Sequence, residues 1–269
     1  MIEVRDKLLS AFRDVKFQEE GHKYWFEGKP EKKLVSVTSI VGKLHKPFDK
    51  EGCAARQAAK WGKTKEEIIA EWDREAAFAC DKGTLTHRYM EYNLSGKTFD
   101  IPLNLNRPEI VRAFQDLKPV CDAFMQNLLK TMTPVCSELQ VGVYDWSLVG
   151  TIDQLFLDEN GDLWIYDWKT NKKFTDSNEW ENLLWPFGNW PNSSLAGYSI
   201  QLRLYQKIIE HVTGLKVKGC RLVWFSPQGE RVYDCIEFTD EVDQLLKNHI
   251  ETFCAQRPAP KPEFKWVHI

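Results

Sequence analysis

The sequence has 269 residues, 43% hydrophobic and 28% charged, which is typical of a soluble globular protein with one large domain or two small ones. Its formal charge of −3 provides no overall basic character, so a nucleic-acid partner would need local basic patches. No run approaches the ~18 apolar residues of a membrane span, and the charged N-terminus lacks the apolar centre of a signal peptide. The seven scattered cysteines include no CxxC pair, which favours reduced thiols and a cytoplasmic location over a disulfide framework or a zinc site.

The N-terminal part is predicted to contain short strands and then helices. Residues 1–15 have the pattern of an amphipathic helix. The elements expected after it are strands over 22–28 and 33–37 around a turn at Gly28, and helices from about Ser39 and over 51–61, with a break at Gly62.

A clearer helix start follows at Thr64, whose side chain can cap the helix while Glu67 completes a capping box. The triplet Asp81–Lys82–Gly83 predicts a break, after which a new helix runs over 84–94. His87 lies on that helix, and taken alone it is more readily a hydrogen-bonded core histidine than a ligand. Gly83, one turn before it, permits the close approach of another backbone or of a phosphate.

A loop over 95–107 and a long helix over 108–132, ended by Pro134, lead to a strand over 137–144. The helix carries apolar residues at helical spacing, namely Val111, Phe114, Leu117, Val120, Phe124 and Leu128. Glu138 is the only acidic residue in the uncharged run of the strand. It is either an exposed edge residue or, depending on the following turn, a partner of Asp153.

The most informative stretch is LVGTIDQLFLDENGDLWIYDWKT over 148–170, which predicts two strands joined by a three-residue turn. This turn puts Asp153 opposite Asp167, whereas a two-residue turn would put Asp153 opposite Trp168. Because side chains alternate along a strand, Asp167 and Lys169 share a face that is otherwise mostly apolar. Facing carboxylates repel each other unless a proton or a cation lies between them. The pattern therefore predicts a divalent-cation site, with Mg²⁺ as the expected ion.

Residues 174–198 are rich in Asn, Pro, Gly and Trp and predict a long loop, a type of segment that is often functional. Its aromatic side chains either stack on bases or pack the loop onto the core, and they are Trp180, Trp185, Phe187 and Trp190.

The C-terminal part is predicted to contain two helices and a hairpin. These are a helix over 199–212 ended by Gly214, strands over 220–226 and 231–238, a helix over 241–255 capped by Thr239–Asp240, and an extended tail over 257–269. On the first of these helices, Gln201 and Tyr205 share one face, whereas Arg203 and Lys207 lie on another.

Several of these residues form motifs in a characteristic order. The motifs are GxxxH at 83–87, an acidic residue at Glu138, GxxD at 150–153, DxK at 167–169 and QxxxY at 201–205. With them, the chain resembles the PD-(D/E)XK nuclease superfamily over about residues 21–205. Within it, the chain looks like the RecB-like, phage-type exonuclease branch, which includes the mitochondrial genome maintenance exonuclease. The stretches HKYWFEGK and VSVTS resemble the lead-in of phage members. The proline of the superfamily name is absent, because Ile152 precedes Asp153.

The resemblance implies an α/β fold with a restriction-endonuclease-like core, in which helices flank a mixed central sheet of about four to five strands. It implies a single nuclease domain over 1–269, divided into an N-terminal helical part (1–95), the core (96–256) and the tail (257–269). We also expect the helical residues 40–95 to arch over the site and to thread a strand end.

The resemblance also implies roles for the site residues. The expected ligands of Mg²⁺ or Mn²⁺ are His87, Asp153, Asp167 and the main-chain carbonyl of Trp168. Lys169 is expected to orient or activate the attacking water and to offset charge on the phosphate. Glu138 is expected to be an outer ligand or to help hold the water. The residues expected to order the site or contact DNA are Gln201, Tyr205, Gly83, Thr170 and Arg203. No iron–sulfur cluster is expected, because the cysteines lack the grouped spacing of a related cluster-binding branch.

The expected function is that of a metal-dependent DNA exonuclease in recombination, repair or phage DNA processing. Its expected location is the cytoplasm, which is the cytoplasm of the bacterial host if the protein is phage-encoded. Its expected partners are DNA, single-stranded or at a duplex end, and a single-strand-annealing or single-strand-binding protein, with no membrane. The alternatives are a structure-specific or flap endonuclease with the same site, and an inactive nucleic-acid-binding subunit. Asp153, Asp167 and Lys169 argue against the inactive subunit, since a binding module has no need of three mutually costly charges.

Overall fold

The structure is a computed structural model that describes residues 2–174, 181–238 and 240–255. Its helices are α1 (Ile2–Phe12), α2 (Val37–Gly42), α3 (Lys50–Trp61), α4 (Lys65–Leu94), α5 (Pro108–Leu128), α6 (Ser194–Thr213) and α7 (Glu241–Ala255). Its strands are β1 (Val15–Gln18), β2 (Lys23–Phe26), β3 (Val35–Ser36), β4 (Met132–Val143), β5 (Leu148–Asp158), β6 (Leu163–Lys169), β7 (Val217–Ser226) and β8 (Gly229–Asp234). A short 3₁₀ turn, Leu103–Leu105, precedes α5.

Strand β5 is the centre of a mixed sheet, and β1 and β2 form a separate antiparallel hairpin. One edge of β5 pairs antiparallel with β4. On the other edge, β6 pairs antiparallel over residues 154–157, while the short β3 pairs parallel with Leu148 and Val149. The sheet continues through β7, parallel to β6, to β8, antiparallel to β7. Within the described residues, positions 150–153 of β5 therefore lack a strand partner on this edge, and the sheet opens there.

The predicted register of the central strand pair is confirmed. The Asp158 N–H donates to the Asp162 carbonyl across a three-residue turn, in which Gly161 has a φ of +81°. Glycine adopts a positive φ at no steric cost, so this turn suits the sequence. Continued along both strands, the register sets Asp153 opposite Asp167.

Each face of the sheet carries its own core. On one face, Leu155 and Ile165 pack among buried residues of α1, α6 and α7. On the other face, Phe156, Tyr166 and Trp168 pack among buried residues of α4 and α5. This arrangement confirms the predicted α/β fold with helices flanking a mixed sheet. In the described residues the sheet has six strands, which exceeds the four to five expected.

Helix α4 is continuous over Lys65–Leu94, so the predicted break at 81–83 is wrong. Its predicted start is confirmed, because Thr64 and Glu67 form both hydrogen bonds of the capping box. An interior glycine costs a helix only ~1 kcal/mol. The fully buried Leu85, which packs in the core shared with α5, helps to offset that cost.

The boundary between α5 and β4 also differs from the prediction. Helix α5 ends at Leu128, and Met132 already begins β4, so Pro134 lies inside a strand and does not end the helix. In the described residues β4 pairs with β5 alone, and its register shifts between Pro134 and Cys136. An edge strand with a bulge tolerates a proline, because no neighbouring strand needs its missing N–H.

Two more elements were misplaced or missed. Helix α6 begins at Ser194 and not at Ser199, since the Ser193 hydroxyl accepts a hydrogen bond from the Ala196 N–H and caps the helix there. Strand β1 was not predicted. It forms because its residues pair with β2 over the whole hairpin.

Helix α3 packs on the first half of α4 through Ala54, Ala58 and Ile68, a cluster separate from both cores of the sheet. The second half of α4 packs on one face of the sheet, and the expected arch of residues 40–95 over the site stays a prediction. The threading of a strand end beneath it stays a prediction.

The aromatic residues of the long loop have different surroundings. Phe187 is buried against Phe238, and Trp190 Nε1 donates a hydrogen bond of 2.9 Å to Glu241, so both residues hold the loop to the core. Trp185, in contrast, is 61% exposed.

The C-terminal hairpin and helix are confirmed as β7–β8 and α7. The remaining predicted features lie outside the described residues, and they are Trp180, the cap at Thr239 and the tail over 257–269. None of the described helices combines the length and the apolar character that a membrane crossing needs.

Candidate metal centre

Asp153 lies on β5 at the point where β5 and β6 separate. Its Oδ2 accepts a hydrogen bond of 2.9 Å from the Trp168 N–H, where a regular ladder would place a strand carbonyl. The carboxylate therefore bridges the two strands at the point where they separate. The side chain of Asp153 is only 12% exposed.

Glu138 faces Asp153 across the β4–β5 pair, because Ser137 pairs with Gln154 and Leu139 with Ile152. Its backbone has a φ of +48°, a left-handed conformation that is uncommon for a residue other than glycine. Burial, and then the nearby Asp153 carboxylate, raises the pKa of Glu138 well above its ordinary value. The alternative of a freely exposed edge residue is therefore wrong, since Glu138 is half-buried beside a like charge.

His87 reaches this pair from α4. Its Nε2 lies 2.8 Å from the Trp168 carbonyl oxygen, and its Nδ1 lies 3.3 Å from Asp153 Oδ2. When Nε2 carries the proton and donates to the carbonyl, Nδ1 presents a lone pair towards the carboxylate. A divalent cation between two such acceptors would remove their repulsion. A histidine that donates its other N–H to a backbone carbonyl is the usual arrangement of a metal ligand.

These three side chains fit a divalent cation. One ligand atom each from His87, Glu138 and Asp153 lies within 4.8 Å of the others. In the described residues no cysteine belongs to this group. Of the expected ligands, His87 and Asp153 belong to this group, and Glu138, expected as an outer ligand or as a residue that helps to hold the water, joins them. The Trp168 carbonyl oxygen lies 2.8 Å from His87 Nε2, and the ligand roles of this carbonyl and of Asp167 stay predictions.

Asp167 adjoins the group but is engaged elsewhere. It is 2% exposed, its Oδ2 lies 2.5 Å from Lys169 Nζ, and its Oδ1 accepts a hydrogen bond of 3.3 Å from Gln201 Nε2. Burial, and then the Asp153 carboxylate, raises the pKa of Asp167 to about 6 against the opposing effect of Lys169. A cation near both carboxylates would relieve this repulsion.

Lys169 is held on two sides. Besides the ion pair with Asp167, its ammonium lies 4.4 Å from the centre of the Tyr198 ring. Burial acts to lower the pKa of Lys169, but the attraction of Asp167 and Asp153 outweighs it and raises the pKa overall. The Lys169 side chain is therefore an ammonium beside these two carboxylates.

Two tyrosines support β5 beside the cluster. Tyr205 is 3% exposed and packs against Gly150, which has no side chain to obstruct the ring. The Tyr24 hydroxyl hydrogen-bonds the Thr151 hydroxyl at 2.9 Å. The sequence predicted a site role for Tyr205 but not for Tyr24, which lies in the HKYWFEGK stretch and has no spacing that would single it out.

Three other predicted residues have distinct positions. Gly83 faces Thr170, and a Cβ on Gly83 would lie 3.4 Å from Thr170 Oγ1. The Thr170 carbonyl accepts a hydrogen bond of 2.7 Å from Lys82 Nζ, a contact that sequence reasoning missed. Arg203 is not brought to the cluster, because its guanidinium donates to the Cys235 and Ile236 carbonyls at 3.0 and 3.1 Å.

The cluster opens into a cavity of about 720 Å³ between α4 and the β1–β2 hairpin. Its lining includes His87, Glu138 and Lys169 from the cluster, with Gly83 and Thr170 beside them. The cavity therefore connects the candidate ligands and the ammonium to solvent through a single recess.

The family model of the PD-(D/E)XK nuclease superfamily matches residues 59–264, a range that includes all the candidate ligands and Lys169. No curated protein matches the chain. Among solved structures, the crystal structure of SSO0001 is similar at 13% sequence identity and a TM-score of 0.34, covering 96% of this chain and 88% of that chain.

Proposed function

Because the chain belongs to the PD-(D/E)XK nuclease superfamily, we propose that it is a divalent-metal-dependent DNA exonuclease, which hydrolyses phosphodiester bonds from a DNA end. Membership supports nuclease activity with DNA as the substrate. One observation carries the proposal: three cation-binding side chains meet at the opening of the sheet beside the Asp167–Lys169 ion pair.

His87, Glu138 and Asp153 are the residues that would hold the cation, with Asp167 beside them. A divalent cation bound there would supply positive charge to the phosphate and lower the pKa of a coordinated water. The set combines an imidazole nitrogen with carboxylate oxygens. Mg²⁺ prefers oxygen ligands, whereas metals later in the first row accept nitrogen more readily. Both Mg²⁺ and Mn²⁺ are therefore proposed to support activity.

Lys169 is proposed to contact the scissile phosphate. Its ammonium is only 16% exposed, and a charge at such a position is weakly screened by solvent. An ammonium paired with Asp167 at this position suits the stabilisation of negative charge on the phosphate. Asp167 holds the ammonium in place, and Gln201 in turn orients Asp167.

The exonuclease assignment is supported by the walls of the site and by the motifs. The site cavity lies between α4 and the β1–β2 hairpin, so a strand that reaches the cluster passes between two walls. The order of the motifs supports the RecB-like, phage-type branch, and with it a role in recombination, repair or phage DNA processing in the cytoplasm. A single-strand-annealing or single-strand-binding protein is the proposed partner in such a role.

The test is the digestion of linear DNA labelled at the 5′ or the 3′ end, single- and double-stranded, with Mg²⁺, with Mn²⁺ and with a chelator. The proposal expects mononucleotides or short fragments released from one end, and no release with the chelator. A closed circular single strand distinguishes the alternative, because an endonuclease cuts it and an exonuclease does not. Cleavage of the circle would replace the exonuclease with a structure-specific endonuclease, and cleavage of linear DNA in the chelator would overturn the metal site.

A further inference from the structure

Without a bound cation, the side-chain charges that line the site cavity provide little net attraction for DNA. Its lining includes the carboxylates of Glu19, Glu91 and Glu138 against only two basic side chains, Arg88 and Lys169. The whole chain carries a formal charge of −3. Affinity for nucleic acid comes mainly from Lys and Arg contacts with phosphates. A strand that is cut in this cavity therefore needs a basic surface nearby.

Such a surface lies beside the β1–β2 hairpin. A cavity of about 610 Å³ separates the hairpin from β3 and α2, and a second cavity of about 410 Å³ continues along the hairpin towards Tyr144. The two cavities share Lys23, Tyr24 and Lys32 in their linings, so they form one continuous recess. We call this recess the hairpin groove.

The hairpin groove has a strong excess of positive charge. Its basic residues are Lys23, Lys29, Lys32, Lys33 and Lys43, and its acidic residues are Glu20 and Glu31. Lys32 is already engaged, since its Nζ lies 3.9 Å from the centre of the Tyr144 ring. In the part of the chain that the structure describes, Lys23, Lys33 and Lys43 form no ion pair with a carboxylate.

Four lysines within residues 46–65 differ in this respect. Their ion pairs are Lys46–Glu181, Lys50–Asp73, Lys63–Glu71 and Lys65–Glu51. Each of these four ammonium groups is neutralised locally, so they offer less net attraction to a polyanion. The hairpin groove therefore adds several charges without a carboxylate partner among the described residues near the site, besides Lys82, whose Nζ donates to the Thr170 carbonyl.

The hairpin groove is continuous with the site cavity. His22 lines both, and its ring contacts Phe17 and Tyr24 at centroid distances of 5.0 and 5.6 Å. The backbone of His22 has a φ of +47°, and a non-glycine residue held in this way often marks a functional turn. Tyr24 lies in the wall between groove and cluster, since its hydroxyl bonds Thr151, which precedes Asp153 on the same face of β5.

We propose that the hairpin groove binds the phosphodiester backbone of single-stranded DNA adjoining the scissile phosphate, with Lys23, Lys33 and Lys43 contacting its phosphates. This inference rests on the proposed nuclease function, because it concerns the path of the same substrate. The proposal attributes to the hairpin, which precedes the matched residues 59–264, binding energy in addition to that of the cation and Lys169.

The test measures the binding of a labelled single-stranded oligonucleotide in the presence of a chelator, so that binding is observed without cleavage. The triple variant K23A/K33A/K43A is compared with the matched triple variant K130A/K216A/K218A. The control lysines lie around the β5–β6 turn, at the end of the sheet away from Asp153, since Lys218 pairs with Asp162 and Met132 pairs with Asp158. Circular dichroism verifies that both variants are folded.

The groove variant is expected to bind the oligonucleotide at least tenfold more weakly than the wild type, whereas the control variant binds within about twofold. The slope of log K against log salt is expected to fall by about 2, since each lost single-strand phosphate contact contributes about 0.7. An unchanged affinity and slope in the groove variant would overturn the proposal. If the groove variant binds weakly but the wild type cleaves no DNA, the groove stands and the nuclease assignment fails. If the wild type cleaves DNA and the groove variant binds normally, the nuclease assignment stands and the groove proposal fails.

Discussion

The ring of Tyr205 occupies the space in which a side chain of Gly150 would lie. A Cβ on Gly150 would come within 2.6 Å of Tyr205 Cε1 and 2.9 Å of its hydroxyl oxygen. This contact joins α6 to β5 directly beside the candidate cation-binding group, because Asp153 follows on the same strand. Gly150 of the GxxD motif and Tyr205 of the QxxxY motif therefore pack directly against each other.

The substitution Gly150→Ala is expected to destabilise the fold by about 1–3 kcal/mol, the usual cost of overpacking a well-packed core. It should also lower nuclease activity by displacing Asp153. Thermal unfolding and a cleavage assay measure the two effects. Gly188→Ala is the matched control, since the nearest atom to its added Cβ lies 4.0 Å away. Combining Gly150→Ala with Tyr205→Leu should cost less than the sum of the single changes, and strict additivity would contradict the contact.

Replacement of Lys169 by Ala is expected to lower the cleavage rate by about 10²–10³-fold, the usual effect of removing one group that stabilises transition-state charge. The measurement is single-turnover cleavage of labelled DNA with saturating Mg²⁺. Lys169→Arg keeps the positive charge and should retain more activity than Lys169→Ala. Circular dichroism controls for folding, and equal cleavage by wild type and Lys169→Ala would rule out the proposed contact with phosphate.

Glu138→Gln and Asp167→Asn are expected to affect metal binding unequally. Glu138 contributes a ligand atom to the group with His87 and Asp153, whereas Asp167 is paired with Lys169. An ion that binds the folded state stabilises it by RT ln(1 + [L]/Kd), so at one Mn²⁺ concentration a smaller increase in unfolding temperature reports weaker binding. Glu138→Gln should reduce that increase more than Asp167→Asn does. The opposite order would restore Asp167 as the primary ligand.

Glu138→Gln is also expected to raise the unfolding temperature in the absence of metal. The raised pKa of Glu138 means that burial and Asp153 oppose its charged form, and the amide removes that opposition. Thermal unfolding in a chelator measures the effect. Glu159→Gln, in the turn between β5 and β6, is an exposed control of the same chemistry. A lower unfolding temperature for Glu138→Gln than for that control would contradict the repulsion.

Gly83→Ala is expected to lower the cleavage activity without lowering the thermal stability. The residue lies inside the continuous α4, where alanine is favoured over glycine by up to ~1 kcal/mol, and the added Cβ meets Thr170 Oγ1 at a tolerable 3.4 Å. The same methyl group projects where Gly83 lines the site cavity, so cleavage should fall while thermal stability holds or rises. Ala76→Gly, in the first half of α4, gives the opposite propensity change away from the cluster. Unchanged cleavage by Gly83→Ala would show that the added methyl group does not obstruct the substrate in the site cavity.

Local chemistry was sufficient to predict several elements. The three-residue turn ending in Gly161 sets the register of β5 and β6, which pair over residues 154–157 of β5 up to the position before Asp153. The capping box at Thr64 starts α4, and Gly62 and Gly214 end α3 and α6 in left-handed conformations. Each of these features depends on residues a few positions apart, so the sequence contains the whole interaction.

Distant contacts decided the rest. Helix α4 continues through Gly83 because its second half is buried in a core with α5, and Pro134 belongs to a strand because β5 pairs with its neighbours. The membership of the candidate cation-binding group likewise depends on Glu138 adopting a left-handed backbone opposite Asp153, and on His87 reaching across from α4. The sequence by itself determined which charged residues share a strand face, since alternation along a strand is local. Only the tertiary structure decided which of them meet, because that depends on where the sheet opens and on which helix covers the opening.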